Sequence, residues 1–136
     1  MGKCAEMVGG AQEVLEMTVN YANERMQFGR HIGSFQIIQH YCANMLVDAE
    51  ASRFITYDAA WKISAGLPHI KAASIAKAWV NEAYQRVVML SHQIHGAIGF
   101  SSDYDLGLYT KRAKAAEVML GDSNFHREII ARMIGL

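Results

Sequence analysis

The chain has 136 residues, 51% hydrophobic and 19% charged, which suits one domain, residues 1–136, with a real core. Thirteen basic residues against thirteen acidic ones leave no net charge. That argues against nucleic acid and a polybasic membrane anchor, since both need a basic surplus, and it leaves little repulsion to oppose self-association.

The chain reads as helices with short breaks. Helix 1 is expected from about Lys3 to Gln27, with Cys4, Val8, Ala11, Leu15, Thr18 and Ala22 on one face. Phe28-Gly29 stops it. Ser34 is a candidate N-cap for helix 2, which runs to about Ala65 with Phe35, Ile38, Cys42, Met45, Ala49, Phe54 and Trp61 near one stripe. Gly66-Leu67-Pro68 breaks it, with Pro68 suited to the first turn of the next helix. Helix 3 spans about His69 to His95, its face formed by Ile70, Ala73, Val80, Ala83, Val87 and Ile94, with Glu82 and Arg86 as an i,i+4 pair. A Gly- and Ser-rich loop covers Gly96 to Asp103. Helix 4 starts near Asp103 or Asp105 and reaches about Leu120, where Gly121 breaks it, and Asp122 or Ser123 caps a last helix ending near Ile134. No segment alternates long enough for a strand. The expected fold is all-α: an antiparallel up-down four-helix bundle with an extra short C-terminal helix.

Several chemistries leave no trace. There is no G-x-S-x-G, H-E-x-x-H or P-loop. The Glu-x-x-His pair of a di-iron bundle is missing too: Glu50 is followed three on by Arg53, and Glu82 by Gln85. His92 and His95 share a helix face without a carboxylate beside them, and read as helix-terminal histidines rather than metal ligands. Cys4 and Cys42 form no C-x-x-C and read as buried thiols, in keeping with a reducing cytoplasm. Met1 to Gly10 holds no apolar run of the secretory kind, and nothing approaches the ~18 apolar residues of a membrane span. Helices 2 and 3 look apolar over more than one face, so part of that surface is expected to meet a partner.

Five stretches in register point further. Val8-Gly9-Gly10-Ala11-Gln12 opens the first helix. Tyr21 to Arg30 reads Y-x-x-x-R-x-Q-F-G and continues through Ile32-Gly33-Ser34-Phe35-Gln36. Ala73 to Lys77 reads A-x-x-A-K, and Gln93 to Phe100 reads Q-I-H-G-A-I-G-F, with Tyr104 beyond it. Together they resemble the C-terminal helical domain of the acyl-CoA dehydrogenases, flavoenzymes that oxidise acyl thioesters. The resemblance implies FAD as cofactor and contacts to the FAD of a neighbouring subunit from Arg25, Phe28, Gln36, Gln93 and Gly96. A guanidinium suits a pyrophosphate because its fork donates to two oxygens. It also implies a homo-oligomer, dimer or tetramer.

Two departures matter. Ala97 stands where the family's second glycine is usual. Met119-Leu120-Gly121-Asp122 matches the family's Y-E-G-T, whose glutamate removes the α-proton of the acyl-CoA; leucine cannot accept a proton. In some members the base lies on helix 1, just upstream of Met1. Glu6 sits about two turns further on, on the order of 10 Å away at 1.5 Å per residue. No residue of this chain is therefore assigned a catalytic role. The family's other domains complete the flavin and acyl-CoA sites, so this chain alone is expected to be inactive. The alternative is a non-catalytic assembly or binding module.

Overall fold

The computed structural model describes residues 1–102 and 104–136. Its elements are α1 (Gly2–Glu24), β1 (Met26–Gln27), β2 (Arg30–His31), α2 (Gln36–Ser64), α3 (Ile70–His95), α4 (Leu106–Val118) and α5 (Ser123–Met133). Short 3-10 turns cover Ile32–Ser34 and Gly96–Phe100. Successive helices reverse direction. The α1–α3 pair forms the middle of the bundle, α2 and α4 flank it, and α5 lies along α3. This is the four-helix bundle with an added short helix that the helical periods imply.

The main apolar cluster fully buries Met7, Val14, Met45, Val80, Val87 and Leu106, and a smaller one joins Cys4, Ala59, Ala72 and Ala76. Gly10 has a packing reason, since a Cβ there would lie 2.4 Å from the Tyr84 hydroxyl, whereas one on Gly9 would meet open space. Only glycine lets α1 approach α3 that closely.

Several boundaries differ from expectation. The first helix ends at Glu24, not Gln27, because Arg25 is extended (φ −72°, ψ 124°) and the chain enters a tiny antiparallel hairpin, Met26 opposite His31 and Gln27 opposite Arg30. Two residues per strand are too few to leave a period-two signal. Ser34 does not cap α2. It falls in the preceding 3-10 turn, where its hydroxyl donates to His31 O (2.7 Å), and Phe35 takes the cap position. Pro68 stands outside α3, whose N-cap is His69. Gly96–Phe100 coils as a 3-10 turn rather than an open loop. Asp105 precedes α4, while Asp103 lies outside the described residues. Asp122 caps α5, its Oδ1 accepting the Phe125 N–H at 2.8 Å.

Two packing expectations also change. Glu82 and Arg86 do not pair with each other. Arg86 forks onto Asp48 of α2 (2.9 and 2.7 Å), and Glu82 meets Arg127 of α5. Tertiary carboxylate and guanidinium partners replace the local pair. On α2 the buried face is Met45, Ala49, Ser52, Thr56 and Ala59, while Phe54 (63% exposed) and Trp61 (59%) face outward, out of phase with that stripe. Ile70 is likewise exposed on α3. These residues form the second apolar face.

Candidate functional site

One end of the bundle is built around Arg25. This residue closes α1: its N–H donates to Tyr21 O and its carbonyl accepts the Ile32 N–H at 2.8 Å. The hairpin then turns on Phe28 (φ 53°) and Gly29 (φ 77°). Two positive φ values are what a tight two-residue hairpin requires, and Asn-Gly is its usual sequence. A phenylalanine there costs on the order of 1 kcal/mol or more. Its ring is nevertheless 91% exposed. The chain thus holds a strained aromatic in the open. Phe28 meets Phe35 edge-on (centroids 6.1 Å apart), and the Arg30 guanidinium sits 4.0 Å from the Phe35 ring centre. Gln36 follows Phe35 and begins α2, exposed.

The end of α3 stands beside this hairpin. Tyr21, one turn before Arg25, stacks on His95 with centroids 4.3 Å apart. The buried His95 anchors a hydrogen-bond chain whose direction is fixed. Its Nδ1 donates to Ser91 O (2.8 Å), so Nε2 accepts from the Tyr104 hydroxyl (2.8 Å). Thr18 donates to Val14 O (2.6 Å), so Ser91 Oγ donates to Thr18 (2.7 Å). This chain ties α1, α3 and the segment before α4 together under the Gly96–Phe100 turn. Gln93 is exposed at its edge, and Gly96 (φ 62°) has open space where a side chain would project. His92 donates to Thr110 (2.7 Å) and stacks on Phe100 (4.4 Å). Both histidines are committed to packing, and among the described residues no His, Cys, Asp or Glu cluster could hold a metal.

Burial pushes both His92 and His95 below the usual histidine pKa. The unfolded chain therefore binds more protons near pH 6. The stability that the neutral rings contribute is complete above the unfolded value of about 6.5, and is lost as pH falls from there through the lower folded values. The melting temperature is expected to fall between pH 7 and pH 5. A His95→Gln chain should show a shallower fall over that range; an unchanged slope would contradict this assignment.

The five residues singled out in the sequence thus share one end: Arg25, Phe28 and Gln36 on the hairpin side, Gln93 and Gly96 on the α3 side. A guanidinium with no ion pair among the described residues, an exposed ring, two exposed amides and an open glycine suit a dinucleotide's phosphates and flat rings.

Leu120 is elsewhere. It lies at the α4–α5 corner, which packs on α3 near Lys77. Lys77 and Gly96 are separated by most of α3, on the order of 25–30 Å at 1.5 Å per residue. Leu120 is also left-handed (φ 61°) and 71% exposed. Glu6, at the same end, is engaged by Lys3 (2.6 Å) and Arg112 (3.8 Å). The sequence pattern marks no role for Tyr104, Lys77 or Asn81, and marks His95 only as a helix-terminal histidine. The available signals were Lys77 closing A-x-x-A-K and Tyr104 trailing the glycine motif.

The sequence model of the family described as "Acyl-CoA dehydrogenase, C-terminal domain" matches residues 1–135. The chain is 37% identical over 134 residues to the mitochondrial short/branched chain specific acyl-CoA dehydrogenase of Rattus norvegicus, covering 98% of this chain and 31% of that protein. Among solved structures it resembles butyryl-CoA dehydrogenase from Megasphaera elsdenii (TM-score 0.95, 30% identity, 98% of this chain and 35% of that one). It also resembles the FAD complex of PigA (TM-score 0.94, 28% identity, 98% and 35%). The chain therefore spans about a third of the length of the relatives it matches.

Proposed function

The chain belongs to the acyl-CoA dehydrogenase family as its C-terminal domain, and on that premise we propose that it supplies inter-subunit flavin contacts and an assembly surface to an FAD-dependent oxidation of acyl-CoA to 2-enoyl-CoA. One observation carries this reading: the strained, exposed Phe28 stands at the same end as Arg25, Gln36, Gln93 and Gly96. A fold tolerates an open, left-handed phenylalanine where something else covers it.

Bound FAD supplies the hydride acceptor. This chain's part is to hold and orient. Arg25 offers a forked pair of donors to a pyrophosphate. Phe28 and Phe35 shield the cofactor from water, and Gly96 lets backbone come close. The separation between this end and Leu120 supports a role in which one chain gives its two ends to two different sites. The outward faces of α2 and α3, with Phe54, Tyr57, Trp61 and Trp79, support assembly into a dimer or tetramer. A second reading, a non-catalytic assembly module, is favoured by Leu120 at the position of the base.

Under the first reading proton abstraction depends on a carboxylate that position 120 does not offer. The pure chain, given FAD, a panel of acyl-CoA thioesters and an artificial electron acceptor, is expected to show no turnover above background. Clear turnover would contradict this division of labour.

A further inference from the structure

Leu120 and Phe28 are the two non-glycine residues with positive φ among the described residues, and both expose apolar side chains. Phe28 owes its conformation to a hairpin. Leu120 needs another cause, because α4 ends at Val118, just before it, without a proline or a glycine at the stop.

The cause lies in the last carbonyls of α4. If α4 continued, the Ala116 carbonyl would accept the Leu120 N–H, and the Glu117 carbonyl the Gly121 N–H. In the structure both acceptors carry side-chain donors instead. Lys77 Nζ donates to Ala116 O at 2.9 Å and, at 3.5 Å, to Glu117 O; Asn81 Nδ2 donates to Glu117 O at 3.2 Å. Lys77 places its remaining proton on Asn81 Oδ1. The pair is held in the core, Lys77 4% exposed and Asn81 fully buried. Burial pulls the Lys77 ammonium below its usual pKa, while the negative end of the α4 dipole favours its charge. Beyond the stop, Met119 is extended and Leu120 and Gly121 are left-handed (φ 61° and 94°). His126 Nε2 donates to Leu120 O at 2.9 Å, and Ser123 Oγ donates to Ala78 O of α3 at 3.2 Å. Gly121 must be glycine: a Cβ there would lie 2.3 Å from Phe125 Cδ1.

We propose that Lys77 and Asn81 are positioning residues for residue 120: their side-chain donors replace two helix-continuing amides, stop α4 at Val118, and so force Leu120 into its left-handed, outward presentation. That Leu120 then offers an apolar wall to the acyl thioester rests on the proposed function; the stop itself does not.

The test uses the full chain, isotope-labelled, with no flavin or thioester, so a failure of flavin binding and a failure of this proposal are separate results. In the wild type, Leu120 should show the strong intraresidue amide–Hα cross-peak of a positive φ. In Lys77→Met that peak should weaken, and sequential amide–amide contacts should run through Leu120 as α4 extends. Asn81→Leu, which removes the donor to Glu117 O and the acceptor of one Lys77 proton but leaves Lys77 on Ala116 O, should shift the same signals part of the way. A folded variant of either kind with the Leu120 signature intact would overturn the proposal. Should neither variant fold, Asn81→Asp decides: it keeps the acceptor for Lys77 and removes the donor to Glu117 O, so the Leu120 amide–Hα cross-peak should weaken, and an unchanged peak would overturn the proposal.

Discussion

Arg25→Ala is expected to weaken FAD binding to this chain roughly ten- to hundredfold while leaving its mass in solution unchanged. The guanidinium is exposed and has no ion pair among the described residues, so its removal strands no protein group. A charge-assisted bond to a phosphate is worth about 1.5–3 kcal/mol before solvent screening, and an exposed site discounts that. The loss should therefore shrink as salt is raised. Flavin fluorescence titrations at two salt concentrations read both effects. Equal affinity in the two proteins would favour the assembly-module reading.

Leu106→Ala should be the costliest single truncation near the site. Leu106 is fully buried at the start of α4, and its Cδ2 would lie 3.2 Å from a Cβ on Gly99, inside the Gly96–Phe100 turn. Truncating a buried leucine costs about 3 kcal/mol or more, from lost burial and the cavity left behind. For a chain of this size that is a drop of about 10 °C in melting temperature. The turn carrying Gly96 also loses its packing support, so flavin affinity should fall with stability. A drop of only a degree or two would mean that the turn is held by the His95 hydrogen bonds alone.

The bundle was legible because its signals are local and repeated. Ala11, Leu15 and Ala22 on α1, and Val80, Ala83 and Val87 on α3, keep the helical period and are buried. The five residues proposed to meet the flavin were reached only through motifs. No period or composition marks Arg25 or Gln93, and both are exposed polar residues of an ordinary kind. What stayed hidden was tertiary. One exception was local: Phe54 and Trp61 lie roughly 160–180° around α2 from Met45 at about 100° per residue, so the helical period alone puts them on the opposite face, and the single expected stripe joined two faces. Ser34 is a good cap by residue type, yet the 3-10 turn that consumes it depends on Ile32 bonding back to Arg25. Glu82 and Arg86 have the spacing of a pair, and each found a better partner on another helix. Gly121 marks an end to α4 in the sequence, but not that the helix stops at Val118: the donors that meet its last carbonyls, Lys77 and Asn81, lie some forty residues earlier on α3.

The two ends of the bundle make different demands. The hairpin end displays donors and an aromatic ring, and the opposite corner displays Leu120. Both displays use backbone conformations that cost energy. That a single domain maintains two such sites, on the order of 25–30 Å apart, fits a domain that serves a neighbour with one end and its own chain with the other.

The most direct test of the central claim is the visible spectrum of the purified chain after incubation with FAD and gel filtration, read together with its mass by light scattering. A flavin spectrum that coelutes with a dimer or tetramer is the expected result. A colourless peak, whatever its mass, would contradict the claim that this domain carries a flavin-contact site.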